Sequence, residues 1–584
     1  MSQVACRGLI SIVTGAALLL VACAPSSAPT PASESDTSAP AVPGLSLTPT
    51  PQPTAGGRVV VGDTADIKTL NPILVSDGPS DIVTSRMYAS LLSVDPKTGE
   101  PRPNLAEKFD FSTDGKTLSF QLRDGLKFSD GSPLTGNDFK FSVEALLRSK
   151  KSNHNNNVDQ IVGAHQYADG TSSDVSGISI DGTTITVNLV NSFCPALTQI
   201  GSIQIIPQSV FGKYLDPNDA SKNLDDAPEN SAPPVSSGAF TFKEWVPNDH
   251  VTLERNDYYW QKANLDEWVY RTYANQDELT AALKSGDVDL AQIDPKDLQD
   301  VQSDGNIQVF KYQSLGYTFI GWNQERGGKE FLQDKAVRQA LTYALDVQPV
   351  IDTALSGEGV KMVGQIPPVS WAYDATGLNP YGTDPAYAEK LLQDDGWAKG
   401  DDGVYAKDGQ KLAFTITTNS GNAMREMFVQ SAVEQYRQIG ISVESQTESF
   451  DALVDRLNQS KDPQDGDQGG HDFDAVVVSW SLTADPDMYS IWDSNATHAG
   501  EGNWINYKNP DLDKAIDDSR NNCALADRKD AFKRANQILN DQQPYNFGFA
   551  ANVLLGVNRK IQGIDPGPYA RGGQAYPETW WVQQ

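Results

Sequence analysis

Cysteine is scarce in this chain. Four occur in 584 residues, and only Cys194 and Cys523 fall in the body of the sequence. Two cysteines so far apart make a weak pairing pattern, and the sequence favours two unpaired thiols over a bridge, although an exported compartment would permit one. Histidine is scarce too. His154, His165, His250, His471 and His498 are scattered and no HExxH occurs, which leaves a zinc protease without support. Basic residues are outnumbered, 46 against 76 acidic, for a net charge of −30. That balance argues against nucleic acid, because phosphate binding runs on Lys and Arg. No GxSxG elbow and no GxxxxGK[ST] loop are present, and "SGEGVKMVG" has the wrong glycine spacing for a dinucleotide loop. Nothing pairs a nucleophile with a base.

What is present begins at the amino end. Arg7 is followed by an apolar run over 9–21, well short of the ~20 residues a spanning helix needs. A basic start and a short apolar run before small residues read as a secretory signal over 1–22. Leu20-Val21-Ala22-Cys23 resembles the bacterial lipobox, in which the cysteine is lipidated; the alternative is an ordinary signal with an incidental Cys23. Two acyl chains give a stable anchor where one gives a marginal one. The Pro/Ser/Thr-rich stretch up to residue 57 cannot bury enough surface to order itself and reads as a tether.

The body, about 58–584, is long enough for roughly three domains at ~150 residues each. Its first half is strand-rich. Val59–Val61 reads as a strand, Leu118, Phe120 and Leu122 alternate, Thr135 to Asn137 can cap a helix, and Ala239 to Glu244 and His250 to Arg255 read as two more strands. "NQDELTAALKSGDVDLAQI" reads as helix, Gly286 stop, strand. Beyond Asp294-Pro295 the character shifts: 333–357 reads as one amphipathic helix with Gly357 as stop, and another helix is capped by Asp384. Residues 411–446 then give strand, helix, Gly440 and strand, a βαβ unit whose two strands are expected to be parallel. A buried strand follows at Ala475 to Trp480.

Ligands in open α/β sheets bind beyond the carboxyl ends of the strands. One such end carries Asn419, with Arg425 near the start of the next helix; the other runs from Trp480 through Asp485 and Asp487. A forked guanidinium suits a carboxylate, an indole offers a flat apolar face, and the acids suit a cation or hydroxyls. The alternatives are that Arg425 is a solvated helix residue, that Trp480 is core and that Asp487 caps the following helix. A two-carboxylate glycosidase built on Asp485 and Asp487 has weak support, since two acids flanking a proline in one loop do not establish the required separation.

Five stretches in order now carry a resemblance. They are "LAEKFDFSTDGKTLSFQLRDGLKFSDGSPLTGNDFKFSVE" (105–144), "FIGWNQERGGKEFLQDKAVRQALTYALD", "YAEKLLQDDGW", "ADPD" and "NYKNPDLDKAID". The chain resembles the family 5 extracellular solute-binding proteins of ABC importers, the oligopeptide- and dipeptide-binding group, in its lipoprotein form. The resemblance implies an α/β, two-lobe periplasmic-binding-protein-like fold of type II, in the large cluster with an extra subdomain on lobe I. Lobe I would comprise 58–88, 211–293 and the return at 551–584, the extra subdomain 89–210, and lobe II 294–550. Cys194 would then lie beside lobe I and Cys523 in lobe II, where a bridge would hamper closure.

It further implies no enzyme activity and no cofactor or metal; nickel, carried by some members, is disfavoured because no His cluster is visible. The expected partners are a peptide or peptide-like solute, a membrane permease and, through Cys23, the membrane itself, with the protein an extracytoplasmic monomer at the cell surface or in the periplasm. A sugar or other solute, or a surface signalling role on the same fold, remains the alternative. Members of the family hold the peptide amino group with an aspartate three residues after a tryptophan like Trp480, and dipeptide binders hold the carboxylate with an arginine near Arg425. Here Leu482-Thr483 occupy that region and the acids come later, at Asp485 and Asp487. Further cleft candidates are Ser76 and Asp77 in the loop after the first strand, Tyr317 and Asn323 flanking Trp322 in "GYTFIGWN", and Trp371.

Overall fold

The computed structural model describes residues 53–152, 154, 157–458, 472–497 and 501–583. The expected signal, Cys23, nearly all of the expected tether, His471 and His498 lie outside the described residues. The first strand, Arg58–Asp63, buries four residues in succession. A run apolar on both faces belongs inside a sheet, between covered strands. It pairs in parallel with Glu267–Thr272 on one side and Leu290–Gln292 on the other. Beyond Glu267–Thr272 the sheet continues through the antiparallel strands His250–Arg255 and Phe240–Val246.

The extra subdomain is a separate four-stranded antiparallel sheet, ordered Ala106–Phe111, Thr117–Leu122, Thr184–Asn188, Ile178–Asp181. Thr117–Leu122 alternates half-buried and buried residues, as its period-two pattern requires. Helix Gly136–Arg148 covers it, started by a capping box between Thr135 and Asp138. Leu118, Phe120, Phe139 and Ile185 of the subdomain and Val59, Trp268, Tyr270 and Leu555 of the first lobe form one continuous core. The subdomain therefore shares its core with lobe I.

The second lobe is built on Ala413–Asn419, parallel to both Ser442–Glu448 and Ala475–Trp480, with Tyr317–Trp322 antiparallel to the last of these. Both faces of this sheet are covered. Ile320, Trp322, Ala475 and Val477 face one core; Tyr317, Phe319, Val476 and Val478 face the other. The stretch expected as one helix before Gly357 is two, Lys335–Ala344 and Gln348–Ala354. Pro349, in the first turn of the second helix, offers no N–H to continue the first.

One strand joins the lobes. Tyr545–Asn558 spans 14 residues, about 45 Å at the usual rise. Its first half pairs with Tyr317–Trp322 and Gly359–Lys361, its second with Ile307–Gln313 and Leu290–Gln292. The other crossing is the short link 314–316 between Ile307–Gln313 and Tyr317–Trp322. This lies beyond the boundary expected at 293/294. Ile307–Gln313 pairs with the lobe I half of the long strand, and Val301 and Ile307 share a core with Val60, Leu283 and Leu554.

Cys194 and Cys523 are joined in a disulfide with their Cα atoms 5.0 Å apart. This corrects the expectation of two unpaired thiols. The loop at 192–194 of the subdomain lies directly on the end of helix Pro510–Asn521. The Cys194 N–H donates to Arg520 O at 2.7 Å, and Ser192 Oγ donates to Asn521 O at 2.6 Å. A separation of 329 residues hides this contact from the sequence.

Gly548 marks the tightest point of the shared strand. Its φ is +55°, and a Cβ there would collide with the carbonyl oxygen of Thr318, at a register shift between Thr318 and Ile320. Only glycine adopts that backbone freely so close to another strand. Gly548→Ala is expected to cost about 2 kcal/mol or more, measured by urea unfolding. A loss below about 0.5 kcal/mol would mean that the strand relaxes around an added methyl.

Candidate functional site

Strands Ala413–Asn419 and Ala475–Trp480 run parallel and end at one rim, where the antiparallel partner Tyr317–Trp322 begins; Tyr317 sits opposite Trp480. Helix Ala423–Gln438 starts at this rim. Asn422 caps it, its side chain accepting from the Arg425 N–H at 3.0 Å. The strand end and the helix start bring Arg425 back over the rim. Its Nη1 donates to Asn419 Oδ1 at 2.7 Å and its Nε to Ser479 Oγ at 3.3 Å; Ser479 Oγ in turn lies 2.8 Å from Thr318 Oγ1. Nη2 has no protein partner among the described residues. Burial lowers the Arg425 pKa, and no acidic side chain offsets it. A half-buried guanidinium with no carboxylate of its own leaves a forked donor edge open to an acid from outside.

Trp480 belongs to an aromatic ladder. It stacks on Trp504 at 4.3 Å between centroids and lies near-parallel to Phe319 at 6.2 Å, while Phe319 stacks on Tyr545 at 3.9 Å. The indole is half-buried, with Trp504 already against one face. Tyr317 is buried in the same core, its hydroxyl donating to Gln365.

The two aspartates expected as polar anchors are both engaged by arginine. Asp485 is buried and takes Arg528 in a fork, Nη1 to Oδ2 and Nη2 to Oδ1 at 2.8 Å each. Arg528 also lies 5.3 Å from the Trp371 ring. Asp487 pairs with Arg520 Nε at 3.3 Å and accepts from the Tyr489 N–H at 3.1 Å. Burial pushes its carboxyl up, and Arg520 partly opposes the shift. The two acids are thus structural ion pairs, not a free carboxylate couple.

The other candidates scatter. Asn323 lies at the opposite end of the sheet from Trp480, because Tyr317–Trp322 runs antiparallel; it is fully buried and its amide donates to Phe473 O at 2.8 Å. Asp77 caps helix Gly78–Met87, accepting from Ser80 N at 2.8 Å and Ser80 Oγ at 3.0 Å, and its neighbour Ser76 is exposed. No contact connects either to Arg425. Trp371 donates from Nε1 to Ala484 O at 2.9 Å and from its backbone to Tyr569 Oη at 3.0 Å. It lines a cavity of about 420 Å³ between lobe II, the subdomain residues Lys97 to Pro101, the disulfide and Tyr569 of the C-terminal return.

The structure therefore gathers Arg425, Asn419 and Trp480 at one rim and adds Ser479, Thr318 and Trp504. Ser479 was legible as the neighbour of Trp480 on a predicted strand. Trp504, Arg520 and Arg528 carried no signal, because each meets its partner only through the fold.

Residues 100–502 match the family model for bacterial extracellular solute-binding proteins, family 5. The oligopeptide-binding protein AppA of Bacillus subtilis is 29% identical over 540 residues, covering 91% of this chain and 92% of that protein. Protein XP55 of Streptomyces lividans is 26% identical over 498 residues, covering 84% and 83%. The solved structure of the B. subtilis AppA in complex with a nonapeptide superposes with a TM-score of 0.73 at 27% identity, over 91% of this chain and all of that one. A nickel–histidine complex of NikZ from Campylobacter jejuni shares the fold, with a TM-score of 0.73 at 22% identity, over 90% of this chain and 99% of that one. The two lobes, the shared crossing strand and these matches agree: the chain belongs to the bacterial extracellular solute-binding proteins of family 5.

Proposed function

We propose that this protein captures a peptide or peptide-like solute between its lobes and delivers it, chemically unchanged, to the permease of an ABC importer. The observation that carries the reading is Arg425. It is a half-buried guanidinium at the carboxyl ends of parallel strands, oriented by Asn419 and Ser479 and lacking a carboxylate of its own. The carboxylate of a peptide supplies the missing charge, and two parallel N–H···O bonds would fix its direction. Asp485 and Asp487 are held by Arg528 and Arg520, so this reading gives them no part in holding the peptide's amino group. Relatives named as oligopeptide-binding, from B. subtilis and Lactococcus lactis, support a peptide as the solute. In the same reading Cys23 carries the lipid, the tether holds the body off an extracytoplasmic membrane face, and the protein works as a monomer.

Tryptophan fluorescence titration with short peptides in the presence of dithiothreitol tests this, each peptide as free acid and as C-terminal amide. The free acid is expected to bind at least tenfold tighter, a difference of about 1.4 kcal/mol. Equal binding of acid and amide would remove Arg425 from the site. Arg425→Ala is expected to weaken peptide binding by about 2 kcal/mol or more, with unfolding free energy changed by less than about 0.5 kcal/mol. Arg528→Ala should do the reverse. It strands the buried Asp485 carboxylate and costs about 3–5 kcal/mol of stability, read as a fall in the urea midpoint. A stable Arg528→Ala protein with impaired binding would make that pair part of the ligand site.

A further inference from the structure

We propose that the Cys194–Cys523 disulfide is a redox clasp across the cleft. When oxidised it holds the lobes closed, and a dithiol reductant, whether a small dithiol or a thiol–disulfide exchange protein, frees them to open. The inference rests on the two-lobe capture reading for the meaning of opening, and not on which solute is captured.

The argument is one of attachment. Cys194 sits in the extra subdomain, whose core is continuous with lobe I through Phe193, Leu118, Phe139, Val59 and Trp268. Cys523 follows helix Pro510–Asn521, whose Leu512, Ala515 and Ile516 belong to a lobe II core with Phe319 and Trp492. The bridge therefore joins one rigid body to the other. Two backbone links already join them, at 314–316 and midway along Tyr545–Asn558. Rotation about a hinge survives two links close together, since they define its axis. Here Ser314 N–H donates to Ala551 O at 3.0 Å, so the two links are adjacent. The third link lies elsewhere: the cavity beside the disulfide is lined by the subdomain, lobe II and Tyr569, with no residue from either backbone link. A disulfide keeps its Cα atoms within about 7 Å. A point pinned to that distance away from the axis leaves the lobes little room to rotate apart.

The surroundings reinforce the clasp without replacing it. The Tyr569 hydroxyl accepts from the Trp371 N–H at 3.0 Å, and Cys194 N–H donates to Arg520 O at 2.7 Å. Such contacts break and reform freely, whereas the covalent bond needs thiol exchange. Cys523 is the more exposed of the two residues, and Cys194 is buried. A thiolate of the reductant attacks Cys523 Sγ, breaking the S–S bond and releasing Cys194 as a thiolate that takes a proton. The second thiolate of the reductant then attacks the mixed disulfide, leaving Cys523 as a thiol. Two electrons pass to the protein, and the reductant leaves as its own disulfide.

Hydrogen–deuterium exchange with peptide mapping tests the clasp on the full chain in detergent, with no ligand added. A linked peptide containing Cys194 and Cys523 is expected from untreated protein. Amides of the rim, 419–425 and 479–485, are expected to exchange at least tenfold faster after dithiothreitol, with the core strand Arg58–Asp63 unchanged. Cys194→Ala/Cys523→Ala is expected to match the reduced protein without reductant; should that variant fail to fold, the dithiothreitol arm decides alone. Absence of the linked peptide overturns the proposal, and so does equal rim exchange before and after reduction. Because no peptide ligand enters the experiment, a failure of peptide binding leaves this result standing.

Discussion

A single strand shared by two bodies sets the terms for everything else in this molecule. Tyr545–Asn558 takes hydrogen bonds from lobe II along its first half and from lobe I along its second. Neither half can be withdrawn without leaving backbone N–H and C=O groups unpaired, and buried unpaired groups are costly. The lobes therefore cannot separate by sliding. They can only bend where the pairing changes hands, around Ala551 and the adjacent link at 314–316. Gly548 sits just before that point, holding the strand against Thr318 with no side chain between them.

Charge explains why one arginine stands out. Acidic residues exceed basic ones by 76 to 46, so a cation has many carboxylates within reach. Arg456, Arg520, Arg528, Arg534 and Arg571 all end on one. The fully buried Arg338 spends its donors on the carbonyls of Leu332 and Gln542. Arg425 does neither. Its donors are held by an amide and a hydroxyl at the rim of the sheet, which fix its direction without cancelling its charge. In a protein so rich in acid, a site that keeps every carboxylate away from a guanidinium is suited to an acid from outside.

Local chemistry made much of this legible in the sequence. The strand at Ala475–Trp480, the parallel pair around helix Ala423–Gln438 and the caps at Thr135 and Asp384 follow from periodicity and capping residues. Arg425 and Asn419 follow from the rule that ligands meet the carboxyl ends of parallel strands. What failed was long-range. Asn323 looked like a neighbour of Tyr317, yet a six-residue strand carries it to the far end of the sheet. Asp485 looked free because it lies in a loop and Arg528 is 43 residues away, on helix Leu525–Gln542. The pairing of Cys194 with Cys523 depends on how the subdomain seats against lobe II, which no local pattern encodes.

The stack of Trp504, Trp480, Phe319 and Tyr545 links the rim to the shared strand. Tyr545 opens that strand, and Trp480 ends the strand that delivers Ser479 to Arg425. Aromatic rings packed this closely shift together or not at all, since the interior is as dense as a molecular crystal. A bend at the crossing moves Tyr545 only if Phe319 and Trp480 move with it, so the guanidinium and its two orienting partners travel as one piece with lobe II. A bend at the crossing therefore leaves the geometry around Arg425 intact. A preformed anchor of this kind avoids reordering the protein each time a ligand binds.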